Sequence, residues 1–174
     1  REVVIFLDRK NNLEIIGEEL SLLSNHNHLK VSNLQQAFDF AEKIGFPKHG
    51  LCVMLSDYPK SSSEIIKGIT TEEALTEAIN KGLSQSPTGK VHLETDMRAM
   101  YNPTRMKNIE KATLNLIEKI NSVCPDCSTP GFSIVQRIPG LPCEWCGTPT
   151  TLTRSVIYKC QKCGCRKEEL FPDG

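Results

Sequence analysis

Apolar residues recur along the chain in short runs that have the character of buried strands. Residues 3–7 form a continuous, largely β-branched run, which predicts a strand buried on both faces. Residues 51–55 form a second such run, and its Cys52 is expected to act as a small core residue. The shorter run Val91-His92-Leu93 predicts a third strand.

Helical spacing of apolar residues predicts four helices between and after these strands. Leucine and isoleucine recur every three or four positions from Leu13 to Leu23, which predicts the first helix. Residues 34–44 carry an amphipathic pattern that ends at Gly45. A capping box at residues 70–73 opens the third helix, and Asn102-Pro103 opens a long fourth one.

The alternation of strands and helices predicts an α/β fold. We expect a small, mainly parallel sheet flanked by helices over residues 1–122, followed by a C-terminal β-rich zinc ribbon over residues 123–174. The domain boundary is expected near Ser122, where the fourth helix ends. Because the chain starts at Arg1 without a methionine, we also expect a further N-terminal part upstream.

Composition narrows the classes of protein. The chain has 174 residues, with 21 basic and 21 acidic side chains, and so carries no formal net charge. This balance disfavours nucleic acid as a partner. No apolar run approaches the roughly 18 residues that span a bilayer, so no membrane partner is expected. A hydrophobic share of 39% is typical of a globular protein, for which we expect a cytoplasmic location.

Cysteine spacing indicates a metal site. Seven of the eight cysteines lie between residues 124 and 165, and six of them form Cys-x-x-Cys pairs. Two intervening residues let one tight turn aim both sulfurs at a single ion, and zinc prefers four such ligands in a tetrahedron. The predicted zinc ligands are Cys124, Cys127, Cys143, Cys146, Cys160 and Cys163.

Three pairings of these motifs are open. The first joins 124/127 to 143/146, and the second joins 143/146 to 160/163; both have the spacing of a zinc ribbon. Two short strands turning at Arg154-Ser155 favour the second pairing. The third pairing joins 124/127 to 160/163 and requires one long strand over residues 148–159. The remaining pair is then without metal, or shares a second site with Cys165 or a histidine.

Carboxylates follow each of the three predicted strands. Asp8, Asp57 and Asp96 each come directly after a strand or within three residues of it, and Glu94 lies two residues before Asp96. If the strands are parallel, their carboxyl ends meet at one edge, where such groups suit Mg²⁺ bound with phosphate oxygens. Asp96, Glu94 and Asp8 are therefore the candidate catalytic residues. The alternative is that each aspartate starts a turn or caps a helix.

The densest polar stretch surrounds the start of the fourth helix, over residues 94–106. Arg98, Asn102 and Arg105 lie there, and they could bind an anion such as phosphate. Alternatively, the acidic residues pair with Arg98 or Arg105 and tie the helix to the sheet. The sequence leaves these two interpretations open.

This stretch carries a resemblance to a known family. Glu-Thr-Asp-Met-Arg-Ala at 94–99 and Asn-Pro-Thr-Arg-Met at 102–106 resemble the signature of a bacterial family of unknown function. In that family a Cys-Pro-x-Cys motif, a Pro-Gly-Phe motif and a Gly-Leu-Pro-Cys-x-x-Cys-Gly motif follow, as they do here from Cys124 to Gly147. The chain departs at Ser128, where the family usually has glycine. The resemblance implies no activity.

Two classes of function follow. The first is a zinc-binding protein with a structural zinc ribbon that acts as a binding or scaffold protein, since a closed four-cysteine site leaves no open position for chemistry. The second is a metal-dependent enzyme that acts on a phosphate-bearing small molecule such as a nucleotide. A weak nucleic-acid-binding module is a further alternative. Whether the protein is an enzyme stays open, and zinc, with Mg²⁺ in the second case, is the expected cofactor.

Overall fold

A computed structural model describes residues 1–22, 24–55 and 61–172. Within them the helices and strands follow in this order: β1 (Glu2–Asp8), β2 (Leu13–Glu19), β3 (His28–Val31), α1 (Leu34–Ile44), β4 (Leu51–Met54), β5 (Ile65–Ile69), α2 (Glu72–Gln85), β6 (Val91–Thr95), α3 (Pro103–Asn121), β7 (Ser133–Pro139), β8 (Thr153–Lys159) and β9 (Arg166–Leu170). Short 3-10 turns occupy Ser62–Glu64 and Ala99–Tyr101.

The prediction of a mainly parallel sheet flanked by helices is wrong. The described strands form three small sheets, ordered β1-β2, β3-β6-β4-β5 and β7-β8-β9, and every paired strand in them is antiparallel. α1 connects β3 to β4, and α2 connects β5 to β6. In each case another strand lies between the two connected strands. β3 and β4 flank β6, and β5 and β6 flank β4, as in a split βαβ arrangement.

The prediction of a first helix from Leu13 is also wrong, since residues 13–19 are strand β2. Leu13, Ile15 and Gly17 are buried and alternate with exposed residues, which is strand periodicity. Helical spacing groups Leu13 with Ile16, whereas the strand buries Leu13 with Ile15 and leaves Ile16 37% exposed. Leu23, the last residue of that predicted helix, lies outside the described residues.

The other three helices are confirmed, and their ends follow local rules. Asn33 caps α1 by accepting a hydrogen bond from the Gln36 amide, and Gly45 ends it with a φ of 85°. Thr71 caps α2 by accepting from the Ala74 amide. None of the helices within the described ranges is long and apolar enough to cross a membrane.

The chain divides into two compact units, 21–108 and 1–20 with 109–174. The 21–108 unit contains α1, α2 and the four-stranded sheet, packed around a core that includes Leu51, Leu75 and Ile79. In the other unit, Leu13 and Ile15 of β2 pack on Leu116 of α3. A compact unit of contacts is not by itself a domain, so the boundary near Ser122 stays a prediction.

Candidate functional site

Four cysteine sulfurs come together at one end of the three-stranded sheet. The Sγ atoms of Cys124, Cys127, Cys160 and Cys163 all lie within 4.8 Å of one another. Two of these distances, Cys124 to Cys163 and Cys127 to Cys160, are 3.6 Å. Metal–sulfur bonds of about 2.3 Å in a tetrahedron place the sulfurs about 3.8 Å apart. The four cysteines could therefore hold one metal ion.

Each pair of cysteines lies in a tight turn, which we call a knuckle and number in chain order. In the first knuckle the Cys124 carbonyl accepts from the Ser128 amide at 2.9 Å. In the third, the Cys160 carbonyl accepts from the Gly164 amide at 3.2 Å. This turn requires a positive φ after the second cysteine, and the value is 58° at Ser128 and 76° at Gly164. Ser128 thus occupies the position where the resembling family usually has glycine.

The first knuckle favours a thiolate. Sγ of Cys127 lies 3.2 Å from Oγ1 of Thr129. Hydrogen bonds from the Thr129 side chain and backbone lower the pKa of Cys127 to about 6. At Cys163 the Cys165 amide acts in the same direction, but the neighbouring thiols Cys127, Cys124 and Cys160, together with burial, outweigh it and raise the pKa to about 12. Four sulfurs this close cannot all ionise unless a cation neutralises them.

A small hydrophobic cluster packs against cysteines of this centre. Cys124 and Cys160 are almost fully buried against Phe132, whose ring stacks on Tyr158 with 5.6 Å between centroids. Sequence reasoning missed the roles of Thr129 and Phe132. The tripeptide Cys-Ser/Gly-Thr followed by proline occurs after two of the knuckles, and that internal repeat was the available signal.

Of the three pairings, the structure brings together the third. β8 is a continuous strand through Arg154 and Ser155, so the expected turn there does not form. Consequently the first and third knuckles meet at one end of β8, and the second knuckle, with Cys143 and Cys146, lies beyond its other end. The favoured pairing of 143/146 with 160/163 is not the one that the structure assembles.

The two remaining cysteines are Cys52, which is buried, and Cys165, which is half-buried, and the pKa of each thiol is raised. Burial, together with the negative charge of Asp96, raises the pKa of Cys52 to about 12, as expected for a small core residue. Cys165 hydrogen-bonds with Asp126, which, with burial and the nearby Cys124, raises its pKa to about 12.

The candidate catalytic carboxylates each have a local partner. Asp8 closes the β1–β2 turn by accepting hydrogen bonds from the Lys10 and Asn11 amides and the Asn11 side chain, which lower its pKa. Glu94 lies 3.4 Å from Nε2 of His92. Asp57 lies outside the described residues. The carboxylates were expected to meet because the carboxyl ends of parallel strands share one edge of a sheet. The paired strands are antiparallel, so this reason no longer applies.

Asp96 is buried and holds the start of the α3 segment to the sheet. Its side chain is 2% exposed and accepts from the Gly68 amide at 2.9 Å and from Nη2 of Arg98 at 2.6 Å. Burial disfavours its charge, but the hydrogen bonds from Arg98 and Gly68 outweigh that and lower its pKa. The Arg98 guanidinium also lies 4.6 Å from the centre of the Tyr101 ring.

Asn102 and Arg105 continue the same network. Asn102 is fully buried, donates to Asn25 Oδ1 at 2.9 Å, and accepts from the Arg105 amide at 3.0 Å, which caps α3. Nη1 of Arg105 donates to the Met97 carbonyl at 2.7 Å. These contacts agree with the alternative interpretation of residues 94–106, in which the charged groups tie the helix to the sheet. Binding of an anion by Arg98, Asn102 and Arg105 stays a prediction.

Among the described residues, the cysteine cluster is the one group of three or more candidate ligands that could hold a metal. No curated protein and no solved structure matched the chain. One family model, described as "Domain of unknown function (DUF6671)", matches residues 1–174. The expectation of a family of unknown function is thereby confirmed, and the chain belongs to the DUF6671 family.

Proposed function

We propose that Cys124, Cys127, Cys160 and Cys163 bind one zinc ion and that this centre is structural. The two knuckles and strands β7–β9 then form a zinc ribbon in a protein that acts by binding or scaffolding. The observation that carries the proposal is the closed set of four sulfurs within 4.8 Å. Four thiolates fill the tetrahedron, so no coordination position is left for a substrate or water.

The chemistry of the donor set supports zinc. Soft thiolates favour zinc over the hard cations Mg²⁺ and Ca²⁺, which take oxygen ligands. The Cys165 amide lowers the pKa of Cys163, but hydrogen bonds with the neighbouring thiols and burial raise it to about 12, and a bound divalent ion would favour the thiolate instead. Binding therefore releases thiol protons, and zinc affinity is expected to fall as the pH falls.

The three-stranded sheet needs such a centre because its own core is small. Every residue of β9 is exposed, and the buried cluster beside the cysteines contains one large apolar residue, Phe132. The third knuckle is also tied to β2, since Gln161 donates to the Glu14 carbonyl at 2.6 Å and accepts from its amide at 3.2 Å. A small sheet of this kind gains its stability from metal binding.

An exposed apolar face supports the binding or scaffold role. On β1 the side chains that point away from α3 are Val3, Ile5 and Leu7, which are 44%, 58% and 54% exposed. Ile16 of β2 lies opposite Ile5 and extends the same face. A contiguous apolar face of this kind is typical of an interaction surface. The expected cytoplasmic location belongs to this proposal. It is supported by the cysteines, because all eight are free thiols and four of them are grouped as metal ligands would be.

Elemental analysis of purified protein tests the zinc centre. We expect at least one zinc per chain, and we expect Cys160→Ser to lose that ion together with the ordered β7–β9 sheet. Cys52→Ala is the matched control, because this cysteine is buried in the 21–108 unit, is not one of the four clustered cysteines and should leave the zinc content unchanged. A wild-type protein that folds with the same sheet and contains no metal would refute the proposal.

A further inference from the structure

The second knuckle has the same geometry as the first. The Cys143 carbonyl accepts from the Gly147 amide at 2.8 Å and the Cys143 amide donates to the Thr148 carbonyl at 2.9 Å. In the first knuckle the equivalent bonds, Ser128 to Cys124 and Cys124 to Thr129, are both 2.9 Å. Each knuckle is closed by a bridge between its flanking residues, Val123 with Pro130 and Pro142 with Pro149.

The sulfur environment is repeated as well. Sγ of Cys146 lies 3.2 Å from Oγ1 of Thr148, the distance found between Cys127 and Thr129. A turn that arranges two sulfurs for a metal ion in the first knuckle therefore does the same in the second.

Among the described residues, the second knuckle has no further ligands of its own. Four of the other six cysteines form the cluster, Cys165 lies beside Cys124 and Asp126, and Cys52 is buried in the 21–108 unit. Within the described part of the chain, no carboxylate or histidine joins Cys143 and Cys146 in a group of three candidate ligands. The knuckle supplies half of a tetrahedral site.

The second knuckle also lies far from the first centre and is open to solvent. It stands at the hairpin tip, which we define as residues 140–152, between β7 and β8. The seven residues of β8 span about 20 Å and separate the tip from the four-cysteine centre. Between the two cysteines Trp145 is 97% exposed, and Leu152 at the end of the tip is 61% exposed.

We propose that Cys143 and Cys146 bind a second zinc ion together with the same two cysteines of a second copy of this chain. The zinc would then be held by four thiolates, two from each hairpin tip, and would join two chains into a dimer. A tetrahedron has a twofold axis that divides its ligands into two pairs, which matches the symmetry of a two-chain assembly.

The composition of the hairpin tip favours a second copy as the partner. The tip contains a single charged residue, Glu144, in a chain in which 24% of residues are charged. Two identical tips can therefore approach with little repulsion. Trp145 and Leu152 would gain contact area that each lacks in a single chain, because both are more than half exposed.

The test measures mass and zinc content together. For the wild type we expect three zinc ions per two chains and, in solution, twice the mass of a single chain. Cys143→Ser with Cys146→Ser should keep one zinc per chain and have the mass of a single chain. This variant separates the two proposals, because loss of the remaining zinc would concern the four-cysteine centre and not the tip. Cys165→Ser is the control and should remain a dimer.

Trp145 provides an independent readout, since it is the only tryptophan in the chain. On adding zinc to protein that already holds one ion per chain, we expect its emission to shift to shorter wavelength as the mass doubles. A chelator should reverse both changes. The shift should weaken on dilution over about a hundredfold range of concentration, because dimer formation depends on concentration.

Three outcomes would overturn the proposal. The first is a wild type that keeps the mass of one chain at every zinc concentration. The second is a dimer that persists in the double serine variant. The third is a Cys143–Cys146 disulfide that forms in air and is not prevented by zinc, which would make the second knuckle a redox pair.

Discussion

At the scale of single residues, Asp96 shows how a candidate catalytic group is held by its surroundings. It is buried, yet its charge is balanced by Arg98 and the Gly68 amide. Such a carboxylate stabilises the fold, since removing one partner of a buried hydrogen-bonded pair leaves the other uncompensated. The Arg98 guanidinium could bind an anion only if it released the Asp96 carboxylate.

We expect Asp96→Asn to lower the free energy of unfolding by about 2 kcal/mol at neutral pH. Because the folded pKa of Asp96 lies below its ordinary value of 3.8, its contribution is complete above that pH and is lost as the pH falls further. The difference in stability between the wild type and Asp96→Asn should therefore shrink below about pH 4. Urea unfolding of both proteins at several pH values measures it.

Comparing the two proteins cancels the effect of acid on the thiolates, since both contain the same cysteines. Asp39→Asn is the matched control, because Asp39 is exposed on α1 and accepts from Gln35 on the same helix. It should change stability by less than about 0.5 kcal/mol. Equal stability of Asp96→Asn and the wild type at neutral pH would instead favour a functional role for Asp96.

At the scale of elements, β2 is defined by its contact with α3. A Cβ at Gly17 would lie 2.5 Å from Cβ of Leu116 and closer still to the Ala112 carbonyl oxygen. Glycine at this position lets the strand lie directly on the helix backbone. The predicted helix at 13–23 could not satisfy this contact, because Leu13, Ile15 and Gly17 share a face only in a strand.

We expect Gly17→Ala to lower the free energy of unfolding by about 2 kcal/mol, since the added methyl group has to displace the helix or the strand. Thermal or urea unfolding measures the effect. Glu18→Ala, at the next and exposed position, should have a small effect because its pairing with Arg1 is at the surface. If Gly17→Ala proved as stable as the wild type, the close contact of β2 with α3 would be wrong.

At the scale of the whole molecule, the proposed zinc ion and apolar packing would stabilise different parts. Among its described residues, the 21–108 unit has a core of thirteen buried residues, whereas the buried cluster beside the sheet β7–β9 contains Cys124, Phe132 and Cys160. Local stability follows the number of buried contacts, so the two parts should respond differently when metal is removed.

We expect a strong zinc chelator to abolish hydrogen-exchange protection in β7–β9 and to leave protection in β3–β6 largely intact. Exchange measured by mass spectrometry on peptides from each sheet, with and without chelator, tests this. Adding zinc back should restore protection. Loss of protection in both sheets together would show that the two parts unfold as one, and no loss in either would contradict a structural metal.

Several elements could be predicted from the sequence because their signals are local. The caps at Asn33 and Thr71, the glycine after α1 and the Asn102-Pro103 helix start all act within a few residues. The Cys-x-x-Cys spacing likewise predicted the knuckles, because a knuckle is a single turn. Membership of a family of unknown function was also predicted and is confirmed.

Which of these elements contact one another depends on long-range packing, which became known from the fold. A helix that connects two strands has the same periodicity whether the strands are adjacent or have a third strand between them. Strand order and direction could therefore not be predicted from the sequence. The pairing of the knuckles depended on whether residues 153–159 turn or continue as β8. Strand order and knuckle pairing both depend on burial and packing between residues far apart in the chain. The local pattern of the sequence does not specify such contacts.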